Sequence, residues 1–172
     1  MPLIYATGPS GTPDDGIISV SNTNWGTARE ATTGTADDTV QGSGQGYTRA
    51  DSTASRRGAL TYHYVRSFFH FDTSSIGASD SITSVTLKLY AYSGYQTGGL
   101  IVMKADAFGG DGSAALHNDD FNNIVGWDNT SDMTGGTELS AAINASTWSS
   151  GYNNVPLGSV AETAIKNNDD LI

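Results

Sequence analysis

The sequence predicts an all-β protein, an antiparallel jelly roll or β-sandwich with one to three short helices and an extended N-terminal arm. Charged residues make up only 15% of the 172 residues, whereas 21 glycines and many Ser, Thr and Asn residues provide turn-forming positions. β-branched and aromatic residues are concentrated in short runs that alternate between apolar and polar positions. The helical stretches are too short and too few for a parallel sheet built from βαβ units.

The first third of the chain predicts short strands separated by turns. Residues 1–16 are rich in Gly, Pro and Asp and predict the extended arm, which a single domain follows over residues 17–172. Residues 17–20 form a β-prone run, and residues 22–26 (Asn-Thr-Asn-Trp-Gly) predict a turn with a buried tryptophan. The polar stretch 31–58 is too long for a structureless loop, so we expect short strands near residues 38–41 and 46–49.

Residues 60–72 (LTYHYVRSFFHFD) give the strongest strand signal in the chain. Successive side chains of a strand point to opposite faces, so this run has an apolar face and a more polar one. The apolar face holds Val65, Phe69 and Phe71, and the opposite face holds Arg66, His70 and Asp72. We expect Asp72 to accept hydrogen bonds from the turn that follows it or to pair with Arg66, so that both residues have a structural role.

Residues 82–92 (ITSVTLKLYAY) predict the next strand, with one face buried and one exposed to solvent. Val85, Leu87 and Leu89 point to one side, and Thr86, Lys88 and Tyr90 point to the other. Tyr92 shares the exposed side with Lys88 and Tyr90, and exposed tyrosines stack on sugar rings or anchor protein interfaces. This face, with Lys88, Tyr90 and Tyr92, is the candidate binding surface; the alternative is that a loop or a second protomer covers it.

The second half of the chain has a less regular pattern. We expect a third strand over residues 100–107, a helical turn opening at residues 118–121 and a short helix over residues 137–145. Ser159 and Glu162 match a capping box and predict a helix of one or two turns. Leu171 and Ile172 look like the start of another strand, so we expect the natural chain to continue beyond them.

Charge and composition exclude several classes of function. The net charge of −10 disfavours binding to nucleic acid or to an anionic membrane, because both need a basic surface. The chain has no cysteine, which excludes disulfides, thiolate catalysis and Cys-based metal sites. The N-terminal residues lack the basic and apolar segments of a signal peptide, and no stretch is long and apolar enough to span a bilayer.

Two segments of this sequence resemble a known family pattern. Residues 66–72 (RSFFHFD), Ser75-Ile76 and residues 82–90 (ITSVTLKLY) are similar to the R-S-Y-L-R-F-D … S-A-T-L-K-L-Y core of DNRLRE-type β-sandwich domains. The Asn-Thr-Asn-Trp-Gly turn resembles the N-x-N-x-G turn of those domains, and the specific similarity covers about a quarter of the chain. The resemblance implies a jelly-roll module of the kind found in bacteriophage structural proteins, secreted surface proteins and polysaccharide-associated proteins.

The sequence departs from this pattern at two points. His70 stands where a second Arg is common. We also expect no signal peptide and no attached catalytic domain beside this module. The second departure favours similarity to the bacteriophage members of this family over similarity to its secreted enzymes.

The sequence assigns no catalytic residue. His63 and His70 lie seven residues apart on one predicted strand and therefore point to opposite faces. No Ser lies in a G-x-S-x-G elbow, and most Asp residues adjoin Gly, Asn or Ser, where a turn role is the default. No cofactor is expected, although loop carboxylates suit calcium. The calcium candidates are Asp106, Asp111, Asp119 and Asp120.

Three functions from different classes remain. The preferred one is a non-enzymatic structural protein of a bacteriophage particle, located in the virion, that binds other virion proteins or copies of itself. It would be a capsid decoration, head-fibre, collar or tail-associated subunit. The first alternative is a carbohydrate-binding module of a bacterial surface or polysaccharide-associated protein, extracellular or at the cell surface, with a host-surface glycan as its partner. The second alternative is a glycan-acting enzyme, which needs a facing pair of carboxylates.

Overall fold

The protein is described by a computed structural model that covers residue 4 and residues 15–37, 49–54, 58–77, 79–91, 99–127 and 135–167. The chain is mostly β-strand with few helices, as the composition and alternation predicted. Several predicted features lie outside the described residues. They are most of the arm, the strand near residues 38–41, Tyr92 and the strand beginning at residue 171.

The largest sheet has four antiparallel strands in the order β2-β1-β4-β3. These strands are β1 (Asp15–Asn22), β2 (Thr35–Asp37), β3 (Arg49–Ala54) and β4 (Leu60–Phe69). β1 and β4 are the central pair, and Ile18 lies opposite Arg66 in their register. β1 begins at Asp15, so the last two residues of the predicted arm belong to the sheet.

A one-turn helix, α1 (Trp25–Arg29), follows β1. The side chain of Asn24 accepts a hydrogen bond from the backbone N–H of Thr27 at 3.1 Å, which is the bond of a helix N-cap. The prediction of a simple turn over residues 22–26 is therefore wrong in its second half, because Asn24 starts a helix there. The sequence signal was the asparagine, which is among the preferred N-cap residues.

Two smaller antiparallel pairs make up the rest of the β-ladders in the described residues. β5 (Val85–Ala91) pairs with β8 (Gly151–Leu157), and we call this pair the β5–β8 ribbon. β6 (Gly99–Leu100) pairs with β7 (Ile143–Asn144). β8, which completes the ribbon, has no counterpart among the strands predicted from the sequence.

The strand predicted over residues 100–107 is wrong beyond Leu100. Met103 and Ala105 form only isolated bridges, with Glu138 and Ile124 respectively. Backbone groups in this segment bond to several separated segments: the N–H of Lys104 donates to Thr137 O, and that of Asp106 donates to Asn123 O, each at 2.8 Å. The segment is extended but has no continuous partner strand, so it forms no ladder.

The helix predicted over residues 137–145 is also wrong. The N–H of Leu139 donates to the carbonyl of Val102 at 2.8 Å, and Ile143 of β7 pairs with Leu100 of β6. These long-range backbone bonds replace the local i to i+4 bonds that a helix would need, because tertiary partners override a weak local propensity.

The other two helical predictions are confirmed in position. A 3₁₀ helix covers Asn118–Asn122, and α2 covers Ser159–Lys166. The capping box at α2 is wrong, because Gly158 is the N-cap residue and makes no side-chain cap bond. Ser159 lies one position too far along the chain to cap the first turn.

The buried side chains form two hydrophobic clusters. The first packs the four-stranded sheet against the segment between β6 and β7 and contains Ile18, Phe68, Ala105, Ala107, Phe108, Leu116 and Phe121. The second packs α2 and Leu139 against residues that include Val85, Val102 and Leu157. One end of the β5–β8 ribbon thus contacts the second cluster, and this contact decides which face of the ribbon meets solvent.

The β4 face that carries Arg66, which the sequence pattern predicted to be the more polar face, is partly buried. Phe68 belongs to the first cluster and Tyr64 packs against it, so the even-numbered side of β4 faces the core. Arg66 is only 8% exposed, and His70, just beyond the strand, is also buried. Val65 is buried as well, so both faces of this central strand are covered there.

Candidate binding surface

The β5–β8 ribbon has one buried and one exposed face, as the alternation in β5 predicted. On the inner face Leu87 lies opposite Val155, which is fully buried. Val85 and Leu157, which also lie opposite each other, pack against the second hydrophobic cluster. Because side chains alternate along each strand, this packing turns the remaining residues of both strands toward solvent.

Two tyrosines dominate the exposed face. Tyr90 and Tyr152 lie directly opposite each other, and their rings pack edge to face with centroids 5.1 Å apart and planes at 84°. Tyr90 is 61% exposed and Tyr152 is 70% exposed. Such a pair prefers edge-to-face geometry, and its exposed ring surface is available to a partner.

Two more outward-facing residue pairs follow the tyrosines along both strands. Lys88 lies opposite Asn154, and Thr86 lies opposite Pro156. We call the six side chains of this face the Tyr90–Tyr152 surface: Thr86, Lys88, Tyr90, Tyr152, Asn154 and Pro156. It combines aromatic rings, one cation and one amide, which together can stack, form ion pairs and hydrogen-bond.

The structure places two of the three predicted binding residues, Lys88 and Tyr90, on this surface; Tyr92 lies outside the described residues. Sequence reasoning missed Tyr152, because the run Gly151–Leu157 contains only two strongly β-prone apolar residues. Its signal was alternation, since Asn153, Val155 and Leu157 point inward while Tyr152 and Asn154 are exposed.

A second group of aromatic side chains lies beside the four-stranded sheet. The ring of Trp25, at the start of α1, lies 5.8 Å from that of Tyr62 and 5.7 Å from that of Tyr64. Trp25 is 36% exposed, so the sequence expectation of a buried tryptophan is wrong. We call Trp25 and Tyr62 the Trp25 surface.

The partners of Arg66 differ from the Asp72 pairing that the sequence suggested. Its guanidinium donates hydrogen bonds to the carbonyls of Phe121 and Arg29. Its Cζ atom lies 4.1 Å from the Phe121 ring centroid and 4.4 Å from that of Trp127. Burial lowers the pKa of Arg66 to about 10, so the side chain is still a cation at neutral pH.

Asp72 fixes the turn after β4, which was the first of its two predicted roles. Its side chain accepts a hydrogen bond from the backbone N–H of Ser74 at 2.9 Å. The hydroxyl and the backbone N–H of Ser74 hold the pKa of Asp72 below its ordinary value. A carboxylate of this kind stabilises the turn locally.

Of the four calcium candidates, Asp120 has the most hydrogen bonds within the protein. Its carboxylate is buried and accepts from the backbone N–H groups of His117 at 2.9 Å and Phe108 at 3.4 Å. The side-chain amide of Asn123 donates to its other oxygen at 2.8 Å. Asp120 therefore joins the 3₁₀ helix to the first hydrophobic cluster as a structural acceptor.

The other three candidates, Asp106, Asp111 and Asp119, are exposed. Asp111 accepts from the N–H of Ser113 at 3.0 Å, and the Ser113 hydroxyl and N–H lower its pKa. Asp119 Oδ2 lies 3.5 Å from His117 Nδ1. Within the residues that the structure describes, no group of three His, Asp or Glu side chains is arranged to hold a metal ion.

The three histidines lie in three separate places. His63 bridges neighbouring strands, with Nδ1 2.8 Å from the Ser21 hydroxyl and Nε2 3.0 Å from the Thr53 hydroxyl. His70 is buried against Gly112, and His117 caps the 3₁₀ helix. Each therefore has a place in the packing or the hydrogen bonding of the fold.

One shallow depression lies between α2 and the segment near Lys104. Its walls include Lys104, Val160 and Thr163, and none of its described lining residues is Asp, Glu or His. Lys104 is the ionisable side chain among its described lining residues. Of the helices in the described ranges, none is long and apolar enough to cross a membrane.

Comparison with protein-family models, with curated proteins and with solved structures finds no match to this chain.

Proposed function

We propose that this chain is a non-enzymatic structural protein of a bacteriophage particle, and that it acts by binding other virion proteins or copies of itself. It would be a capsid decoration, head-fibre, collar or tail-associated subunit. In this proposal the strands form a jelly roll or β-sandwich of the DNRLRE type. Support for that arrangement comes from the antiparallel pairing of all described strands and from the two hydrophobic clusters.

One observation carries the proposal: exposed aromatic side chains occur at two places, on the β5–β8 ribbon and at the start of α1 beside the four-stranded sheet. Tyr90 and Tyr152 lie on the β5–β8 ribbon, and Trp25 covers Tyr62 on the four-stranded sheet. Aromatic residues are enriched at protein interfaces relative to the rest of the surface. A particle subunit can bind its neighbours through one such surface and leave the other free for a second ligand, whereas an enzyme needs a cleft with positioned reactive groups.

Mass spectrometry of gradient-purified particles from the source culture tests this proposal. Peptides of this chain should co-sediment with intact particles at many copies per particle, and the copy number distinguishes a decoration protein from a collar or tail part. Peptides found in the cell envelope or medium, and absent from particles, would refute a virion location.

The Tyr90–Tyr152 surface favours a second candidate function, carbohydrate binding. The exposed tyrosine rings can stack on sugar rings. The neighbouring amide of Asn154 and the ammonium of Lys88 can hydrogen-bond to sugar hydroxyls. The two functions are compatible, because a subunit attached through one surface can present the other to a host glycan. Glycan-array binding of the intact protein, repeated with the Tyr90→Ala and Tyr152→Ala variants, tests this candidate directly.

A further inference from the structure

The β5–β8 ribbon differs in charge from the rest of the chain. The whole sequence has 18 acidic and 8 basic residues and a net charge of −10. The two strands of the ribbon contain Lys88 and no Asp or Glu. Lys88 is exposed and lies beside the Tyr90–Tyr152 pair, so this cation is located where a bound molecule would contact the rings.

We propose that the Tyr90–Tyr152 surface binds a carboxylate-bearing polysaccharide, a proposal that rests on the carbohydrate-binding function above. The tyrosine rings stack on sugar faces, and Lys88 pairs with a uronate carboxylate. Asn154, opposite Lys88, hydrogen-bonds to hydroxyl groups. Successive outward pairs along a ribbon lie about 7 Å apart, so an extended glycan meets the rings first and the cation next.

The size of the surface favours a glycan over a protein partner. Stable protein interfaces use about 20–30 residues on each side, with about 800 Å² buried per partner. The exposed face of the ribbon offers three residue pairs, from Thr86–Pro156 to Tyr90–Tyr152. That area suits a few sugar rings of one chain.

The charge of the surface favours an acidic glycan over a neutral one. A carboxylate paired with Lys88 forms a charge-assisted hydrogen bond, which is about twice as strong as a neutral one. The acidic chain repels a polyanion overall, but at 0.1 M salt the ions screen this repulsion beyond about 10 Å. Contact with Lys88 at short range therefore decides the binding.

The experiment compares ligands that differ only in the carboxyl group. Oligosaccharides of polygalacturonate, alginate and hyaluronan, each with its carboxyl-esterified counterpart, are titrated into the full chain by calorimetry and NMR. At least one acid form should bind roughly tenfold more tightly than its ester. Backbone amides of the β5–β8 ribbon should show the largest chemical-shift changes.

Three variants locate the site. Lys88→Met should abolish the difference between acid and ester while ester binding persists. Tyr90→Ala and Tyr152→Ala should weaken binding of both forms roughly tenfold or more. Lys166→Met, at the exposed end of α2, is the matched control for loss of one positive charge and should leave binding unchanged. Circular dichroism of each variant verifies that the fold is intact.

Each contrary outcome overturns the proposal. Equal binding of acid and ester forms, unchanged in Lys88→Met, refutes the acidic ligand and leaves carbohydrate binding in place. Binding that the tyrosine variants do not weaken places the site elsewhere. Failure of neutral and acidic glycans alike to bind refutes both the acidic ligand and the carbohydrate-binding function.

Discussion

The guanidinium of Arg66 stacks on the ring of Phe121, 4.1 Å from its centroid, and also donates a hydrogen bond to the backbone carbonyl of that residue. The two residues are 55 positions apart in the chain. Trp127 lies on the same cation at 4.4 Å. The charge is thus held by aromatic faces and carbonyl oxygens, and this contact ties the four-stranded sheet to the segment that follows β6.

Replacing Arg66 tests how much its contacts with Phe121 and Arg29 stabilise the fold. In Arg66→Met the carbonyls of Phe121 and Arg29 lose their donors and the cation–π contacts disappear. We expect the free energy of unfolding to fall by roughly 2–3 kcal/mol, measured by urea denaturation. Arg66→Lys should recover only part of this loss, because an ammonium lacks the planar fork. A Met variant as stable as the wild type would mean that the desolvation of the cation cancels these contacts.

Two neighbouring aspartates should differ sharply in their effect on stability. Asp120→Ala removes the acceptor of the His117 and Phe108 N–H groups, and we expect a loss of roughly 3 kcal/mol in urea denaturation. Asp119→Ala is the matched control, with an exposed side chain and an expected change within about 0.5 kcal/mol. Equal effects of the two changes would contradict the role of Asp120 as a structural acceptor.

Gly112 packs against the buried ring of His70 and has a φ of +73°. A Cβ atom there would lie 2.3 Å from the Cε1 atom of His70. Gly112→Ala should therefore lower the free energy of unfolding by roughly 2–4 kcal/mol, from overpacking and left-handed backbone strain together. Gly110→Ala separates the two causes, because Gly110 has a φ of +84° but a Cβ atom added there would meet nothing within 4 Å. That variant should lose only about 1–2 kcal/mol, and a similar loss at both sites would rule out the clash.

The pKa of Asp72 should depend on Ser74. The Ser74 hydroxyl, and then its backbone N–H, lower the pKa of Asp72 in the folded protein. A depressed carboxyl pKa contributes stability above the unfolded value, near 3.9, and this contribution is lost as the pH falls through the lowered folded value. In Ser74→Ala we expect an NMR titration to give a higher Asp72 pKa than in the wild type. In Asp72→Asn the acid limb of stability against pH should be flatter; an unchanged limb would show that this carboxylate has no part in it.

The local sequence pattern predicted the parts of the fold in which apolar and polar residues alternate strictly. Strict period-2 alternation over residues 82–92 predicted β5 and its exposed Lys88 and Tyr90, and the run after residue 60 predicted β4. Local pattern does not predict backbone that is fixed by long-range partners: the helix expected over residues 137–145 is wrong, because Ile143 pairs with Leu100 in a strand ladder. It also missed β8, whose side chains gain their order only by pairing with β5.

Neighbours within a few residues are enough to predict the mostly-β class, the exposed face of β5 and the turn at Asp72. Tertiary packing is needed to place Tyr152 against Tyr90, 62 positions away, and to bury Arg66 on Phe121 rather than pair it with Asp72. Strand register and core packing bring together residues that no local spacing relates. A buried cation can find aromatic faces and carbonyl oxygens only after those segments have met.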